Sequence, residues 1–306
     1  MQNERRLRSA LLGNGLFSST TGLLLAVAPG LVGSWLGVSA PLILRSVGLG
    51  LVAFGAVVLQ QSASRNLSGA RALLITALDA SWVVGSAVLL LATPSWFSAS
   101  GLLLVSGAAA AVGGFAIWQL SGLARYYQQS SDDYYRVGVQ VKSGAGSGPL
   151  WQVLSDISNI HRYVGSLRAT RVSGGPSGRP GVGTIRHCES KAGTTWSERF
   201  IRWDEGKGFA MEWDASAADF PFPFTLLRGG WEVEPVTDGS LVRIFWEVRP
   251  KWRALVGARL AMMEARLSSE MSAAVDLMTT AAQTLGSDAA QSAGGNLRPA
   301  TRTSVV

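Results

Sequence analysis

Cysteine is nearly absent from this 306-residue chain, which has only Cys188. No internal disulfide can form. His161 and His187 are the only histidines, too few beside one thiol for a structural zinc site. Neither a metal nor a cofactor is expected. No nucleophile elbow, phosphate loop or metal-binding spacing is found along the chain. Charge is scarce too, at 15% of residues against about 25% in an ordinary soluble domain. The deficit is confined to one half. Residues 9–124 carry Arg45, Arg65, Arg71 and Asp79 as their only charged groups, whereas residues 125–306 hold 21 Lys/Arg and 18 Asp/Glu. The net charge of +7 forms no basic stripe or patch, so nucleic acid is not an expected partner.

The uncharged half divides into four apolar segments, at 8–28, 41–61, 70–93 and 99–123. Each is near the ~20 residues that a helix needs to cross a hydrocarbon core. Ala28-Pro29-Gly30, Ser39-Ala40-Pro41, the polar run 64–69 and Thr93-Pro94-Ser95 separate them, since Pro and Gly stop helices where the backbone can reach water. A basic start followed by an apolar run fits a signal peptide as well. Further apolar runs follow at once, so the first is read as a permanent span. Arg5, Arg6, Arg8, Arg65, Arg71 and Arg125 fall at one set of ends, and the opposite loops 29–40 and 94–98 have no Lys or Arg but contain Trp35 and Trp96. This asymmetry predicts a multi-pass protein of the cell membrane with both termini and the polar half in the cytoplasm.

Gly48, Gly50, Gly55, Gly107, Gly113 and Gly114 favour close helix packing in these segments. Asp79 lies deep in the third span, roughly 13 Å from its basic end at ~1.5 Å per residue. Asn14 on the first span reaches a similar depth. A structural hydrogen bond from Asp79 to Asn14 or Ser18 is expected, with a proton or ion path as the alternative.

After a linker at 125–133 the hydrophobic period changes from helical to alternating. A strand over 134–142 precedes two short helices at 148–156 and 158–164. Strands follow at 166–173, 182–190, 194–203, 208–214, 229–236 and 240–249, with Thr237-Asp238-Gly239-Ser240 as a hairpin turn. An amphipathic helix over 252–284 repeats Val256, Leu260, Met263, Leu267, Met271, Val275 and Met278 on one face. It is the natural cover for the sheet. The Ser/Ala/Gly/Thr-rich segment 286–306 is expected to be disordered. The predicted fold class is therefore a four-helix transmembrane domain (1–124) and an α+β domain (134–285) of antiparallel sheet and long C-terminal helix.

Three strings, in this order and spacing, carry a resemblance: Leu150-Trp151-Gln152-Val153-Leu154-Ser155-Asp156-Ile157, Gly181-Val182-Gly183-Thr184-Ile185-Arg186, and Trp196-Ser197-Glu198-Arg199-Phe200-Ile201-Arg202-Trp203-Asp204. With the element order, they make 134–285 similar to the SRPBCC superfamily, the helix-grip domains of polyketide cyclase/dehydrase-like and START-like lipid-transfer proteins. The resemblance implies a sheet curled round the long helix, enclosing an apolar ligand cavity.

Seven of the eleven tryptophans lie in this half. Strand alternation puts Trp196, Glu198, Phe200 and Arg202 on one face, and Ser197, Arg199, Ile201 and Trp203 on the other. Trp196, Phe200, Trp213, Trp231, Trp246, Met263 and Met271 are the expected lining of a hydrophobic ligand site; a solidly filled core is the alternative. Arg186 and Glu198 either point inward to orient a ligand's oxygen or pair across strands in solvent. Glu198 and His161 are the candidates for acid–base chemistry, although a surface role is expected for both histidines. Phe220-Pro221-Phe222-Pro223-Phe224 is read as a lid, a bilayer-dipping loop or a packed segment. The expected function is membrane-tethered binding or transfer of a lipid, quinone or polyketide-like molecule, with membrane lipids as partners. A cyclase/dehydratase-type enzyme and a non-catalytic membrane scaffold are the rivals.

Overall fold

A computed structural model describes residues 2–129 and 134–294. The chain divides into two compact units, Met1–Asp132 with Arg253–Ala265, and Asp133–Trp252 with Arg266–Val306.

The first unit holds α1 (Gln2–Val27), α2 (Pro29–Leu36), α3 (Pro41–Ala63), α4 (Gly69–Ala92) and α5 (Ala99–Tyr127). Four of these, all but α2, are long and apolar enough to cross a membrane. Their boundaries follow local chemistry. Pro29 and Pro41 open α2 and α3 at the first helical position, where the missing N–H costs nothing. The hydroxyls of Ser68 and Ser98 cap α4 and α5 by accepting from Arg71 N and Gly101 N. The short helix α2 stands where a plain loop was expected. Pro29 ends one helix and starts the next, because its ring is tolerated in a first turn and not further in.

Glycine brings α1 and α3 together. A methyl group on Gly48 would stand 2.6 Å from Ala26 N and 2.7 Å from Gly22 O; on Gly22 it would meet Val52 N at 2.8 Å. Both contacts are backbone, which cannot move aside as a side chain can. Gly122 does the same for α5 on α1, 2.8 Å from Leu7 Cα. Asp79 on α4 ties three helices at one point. Its Oδ2 accepts from Asn14 Nδ2 at 2.8 Å and Gln119 Nε2 at 2.9 Å, while Thr76 donates to Gln119 Oε1 and Ser18 to Asn14 Oδ1. The first turns of the last helix also belong here: Glu264 accepts from the hydroxyls of Tyr127 and Ser68.

The second unit is a seven-stranded antiparallel sheet: β1 (Tyr135–Ser143), β2 (Leu167–Ser173), β3 (Ile185–Ser190), β4 (Thr195–Asp204), β5 (Gly208–Trp213), β6 (Phe224–Val236) and β7 (Gly239–Pro250), in the order β1-β7-β6-β5-β4-β3-β2. Between β1 and β2 lie α6 (Ser147–Ser155) and a 3-10 turn at Ile160–Arg162. The helix α7 (Val256–Gly294) closes the chain, and Met271, Ala274, Val275 and Met278 on it are buried. This is the helix-grip arrangement.

Further expectations change. β3 begins at Ile185, not 182, and the helix expected at 158–164 is only the 3-10 turn Ile160–Arg162. β6 begins at Phe224, not 229; the prolines at 221 and 223 hid its first turn-free residues. α7 runs on to Gly294, through the segment 286–294 expected to be disordered, since extending an existing helix adds a hydrogen bond per residue without a new nucleus. The remaining tail, 295–306, and linker residues 130–133 lie outside the described residues. Finally, β4 is bulged between Phe200 and Arg202. The bulge turns Trp203 onto the same face as Phe200, opposite to plain alternation, and its indole stacks on Phe209 at 5.5 Å.

The Gly48 contact is testable by substitution within one helix. Gly48→Leu is expected to destabilise the purified protein by about 1–3 kcal/mol. Gly50→Leu, where an added methyl group meets nothing within 4 Å, should cost far less. Thermal unfolding in detergent reads both.

Candidate functional site

The register of the sheet assembles one apolar face. Val137, Trp246, Gly229, Met211 and Phe200 form a cross-strand row; Val139, Ile244, Trp231, Phe209 and Trp203 form the next. Aromatic and sulfur-bearing side chains from four strands, β4 to β7, thus lie on one surface with the valines of β1. Gly229 makes room for the Trp213 ring, whose Cη2 would be 2.9 Å from any Cβ there.

A charged row crosses this face near its β2 edge. Trp213, Glu198, Arg186 and Val172 are paired residues on successive strands. Arg186 and Glu198 are only 4% and 3% exposed. Glu198 Oε2 accepts from Arg186 Nε at 2.7 Å and Nη2 at 2.5 Å, and Oε1 accepts from Trp196 Nε1 at 2.8 Å. Arg186 Nη2 also meets Met211 Sδ at 3.2 Å, and the guanidinium lies 5.4 Å from the Phe200 ring centre. The carboxylate is thereby satisfied on both oxygens. The guanidinium is not: Arg186 Nη1 is buried and makes no hydrogen bond among the described residues. A buried ionic N–H without an acceptor is costly.

Burial is the largest single effect and lowers the Arg186 pKa, but the charge and hydrogen bonds of Glu198, together with Cys188, outweigh it and raise the pKa above the ordinary value. The group stays cationic. Cys188, two residues along β3, is buried, and its thiol is pushed well up, first by burial and then by Glu198, with Arg186 acting the other way. It is no nucleophile at neutral pH.

Beside this row lies an open cleft of about 640 Å³ between β2, β3, β4 and the segment 214–221; Thr170, Cys188, Trp196 and Phe220 are in its wall. Phe222 sets its ring against Trp196 at 5.5 Å and against Phe220 at 5.4 Å. The Phe-Pro loop is therefore packed over the edge of the site. His161 Nδ1 lies 2.7 Å from Thr170 Oγ1; Thr170 lines the cleft and His161 stands behind it. His187 is exposed and bonds Ser173 and Ser197.

Residues 137–283 match the family model described as polyketide cyclase / dehydrase and lipid transport. They form a polyketide cyclase/dehydrase-like domain. No curated protein matches the sequence. Similar solved structures include norcoclaurine synthase from Thalictrum flavum (16% identity, 50% of this chain and 98% of that one, TM-score 0.39). Others are the Zhui aromatase/cyclase from Streptomyces sp. R1128 (13%, 49% and 94%, 0.38) and Ara h 8.0201 (12%, 48% and 98%, 0.39).

Within the cyclase/dehydrase-like domain, the structure gathers Arg186, Glu198, Trp196, Phe200 and Trp213 at one place. Trp231 and Trp246 share their face several strands away. Met271 is buried on α7. Met263 does not join them. It falls in the Arg253–Ala265 stretch that clusters with the first unit, because α7 is long enough to serve both units and helical periodicity does not say where one ends. Met211 and Cys188 were missed as neighbours of the ion pair. Their only signal is cross-strand register, which a single sequence does not display.

Two measurements check this description. Cys188 in the folded protein should react with a thiol reagent far more slowly at about pH 8 than an ordinary thiol of pKa ~8.5, and at the ordinary rate once unfolded. Arg186→Met or Glu198→Leu alone should cost about 3–5 kcal/mol in stability, and the double variant less than either. Denaturant unfolding distinguishes these outcomes.

Proposed function

We propose that the cyclase/dehydrase-like domain binds a hydrophobic small molecule carrying an oxygen acceptor, and that the four apolar helices hold it at the cytoplasmic face of the cell membrane. The observation that carries this reading is the unpaired, buried Nη1 of Arg186 on an aromatic face beside a cleft. A carbonyl or ether oxygen would complete the guanidinium's hydrogen bonds, while Trp196, Phe200 and Met211 offer apolar contact. Glu198 holds the guanidinium in position and need not touch the ligand. Phe220 and Phe222 act as a lid. A lipid, a quinone or a polyketide-like compound has the required chemistry. Each partitions into bilayers, which gives the membrane helices a reason to be on the same chain. The placement of Arg residues at one set of helix ends supports the cytoplasmic assignment.

A second reading, a cyclase or dehydratase acting on the same class of molecule, is favoured by His161 behind Thr170 of the cleft wall. There it has Thr170 as an orienting partner, as a general acid or base requires.

Mass spectrometry of organic extracts from the full-length protein, purified in mild detergent, tests the proposal. A hydrophobic, oxygen-bearing compound should co-purify. The Arg186→Met/Glu198→Leu variant should retain about tenfold less of it, the loss of a charged hydrogen bond. Absence of any such compound from the wild type points to a scaffold and overturns the binding reading. Conversion of the recovered compound by wild-type protein, lost in His161→Ala with binding kept, would establish the enzyme.

A further inference from the structure

The helical unit has a cavity of its own. α1 packs along α3 and α4 along α5, but α3 and α4, although consecutive, scarcely touch. A space of about 1240 Å³ opens between them, walled by Leu25, Val47, Leu51, Trp82, Leu89 and Ala108 among others. A smaller one of about 360 Å³ shares Val47, Leu51, Trp82 and Ala108 with it and reaches Asp79 and Ser18. The two adjoin across these shared side chains and are taken together as one slot. From Asp79 to Leu89 it follows α4 for about 15 Å at ~1.5 Å per residue, ending among Trp35, Trp96 and Phe97.

The two ends of the slot differ in chemistry. The body is almost wholly aliphatic and aromatic. The inner end is Asp79, 3% exposed, whose Oδ2 accepts from both amides while Oδ1 has no hydrogen bond among the described residues. An acidic group that only braced three helices would need no opening beside it. Here a hydrogen-bond acceptor, held rigidly by Asn14 and Gln119, forms the end wall of a long apolar slot. The larger space alone exceeds the usual 300–1,000 Å³ of a drug-sized site, and its lining runs along α4 to Leu89.

We infer that the slot between α3 and α4 is a binding site for a single-chain membrane lipid with a hydrogen-bond-donating head, of the prenol or long-chain alcohol type, inserted head first so that its hydroxyl meets Asp79. A head with no charge can be carried to this depth, whereas a phosphate-bearing head cannot be desolvated there without paired cations. Only Arg45 among the span residues is basic beyond the loop ends, and it does not line either part of the slot. The lipid enters sideways, through the gap between α3 and α4. The inference rests on these helices lying in a bilayer and is independent of what the C-terminal domain binds.

Photo-crosslinking on the full-length protein in phosphatidylcholine vesicles tests it, with a diazirine-bearing farnesol as probe and a diazirine phosphatidylcholine as control. Crosslinked peptides are located by mass spectrometry. The farnesol probe should label α3 and α4 around Val47 and Trp82. Asp79→Asn should lower that labelling about fivefold, as for one hydrogen bond. Gly107→Phe lowers it at least as far by filling the slot, at a position where an added methyl group meets nothing within 4 Å. Labelling by phosphatidylcholine should be the same in all three proteins. Equal farnesol labelling in the wild type and in Gly107→Phe, the variant least able to disturb the Asp79 cluster, overturns the inference and leaves the membrane reading intact. Failure of the phosphatidylcholine probe to label any helix removes the membrane reading itself.

Discussion

The cost of taking a charge out of water governs both halves of this chain. An isolated ionised group in an apolar interior is penalised by several kcal/mol even after relaxation, so a buried charge persists only where partners are built around it. Among the described residues this happens at Asp79, held by Asn14 and Gln119, and at Arg186 with Glu198 and Trp196. In each case one partner set is completed by residues from different elements, and in each a polar atom is left over. The left-over atoms, an acceptor in the helical unit and a donor in the sheet, have opposite hydrogen-bonding character and lie beside cavities.

The same constraint explains the shapes around them. The helical unit cannot gain stability from a hydrophobic effect between helices if its surroundings are as apolar as its interior, so it relies on close approach at Gly22, Gly48 and Gly122 and on the polar tie at Asp79. Tight pairing of α1 with α3 and α4 with α5 leaves α3 and α4 apart. In the sheet, Gly229 and the bulge after Phe200 open room for Trp213 and Trp203, which thickens the aromatic surface around the ion pair. Buried ion pairs are poor sources of stability. One kept near the β2 edge of an apolar face, with an unpaired N–H, is better explained by what it can hold.

Long-range register separates what was readable from what was not. The four long apolar helices, the seven strands and the final helix are visible as changes of hydrophobic period, because side-chain periodicity is a local property of the backbone. The inward direction of Arg186 and Glu198 was not, because parity assigns residues to two faces without saying which face is covered. Trp203 was put on the wrong face, since nothing in Phe200-Ile201-Arg202 announces an extra residue in the strand. Met263 was grouped with the sheet because the amphipathic stripe of α7 runs on without a break from one unit to the other.

The order of elements, the split between an apolar and a polar half, and the identity of the few charged residues available for special roles were determined by the sequence alone. Composition and period act over a few residues, and such short-range preferences need no partner to be read. Tertiary structure alone decided that Arg186 meets Glu198 beneath Trp196, that Asp79 takes two amides and keeps one oxygen free, and that α3 and α4 part to leave a slot. Those outcomes depend on how distant segments fill space together, and packing between residues far apart in the chain leaves no mark on any one stretch of it.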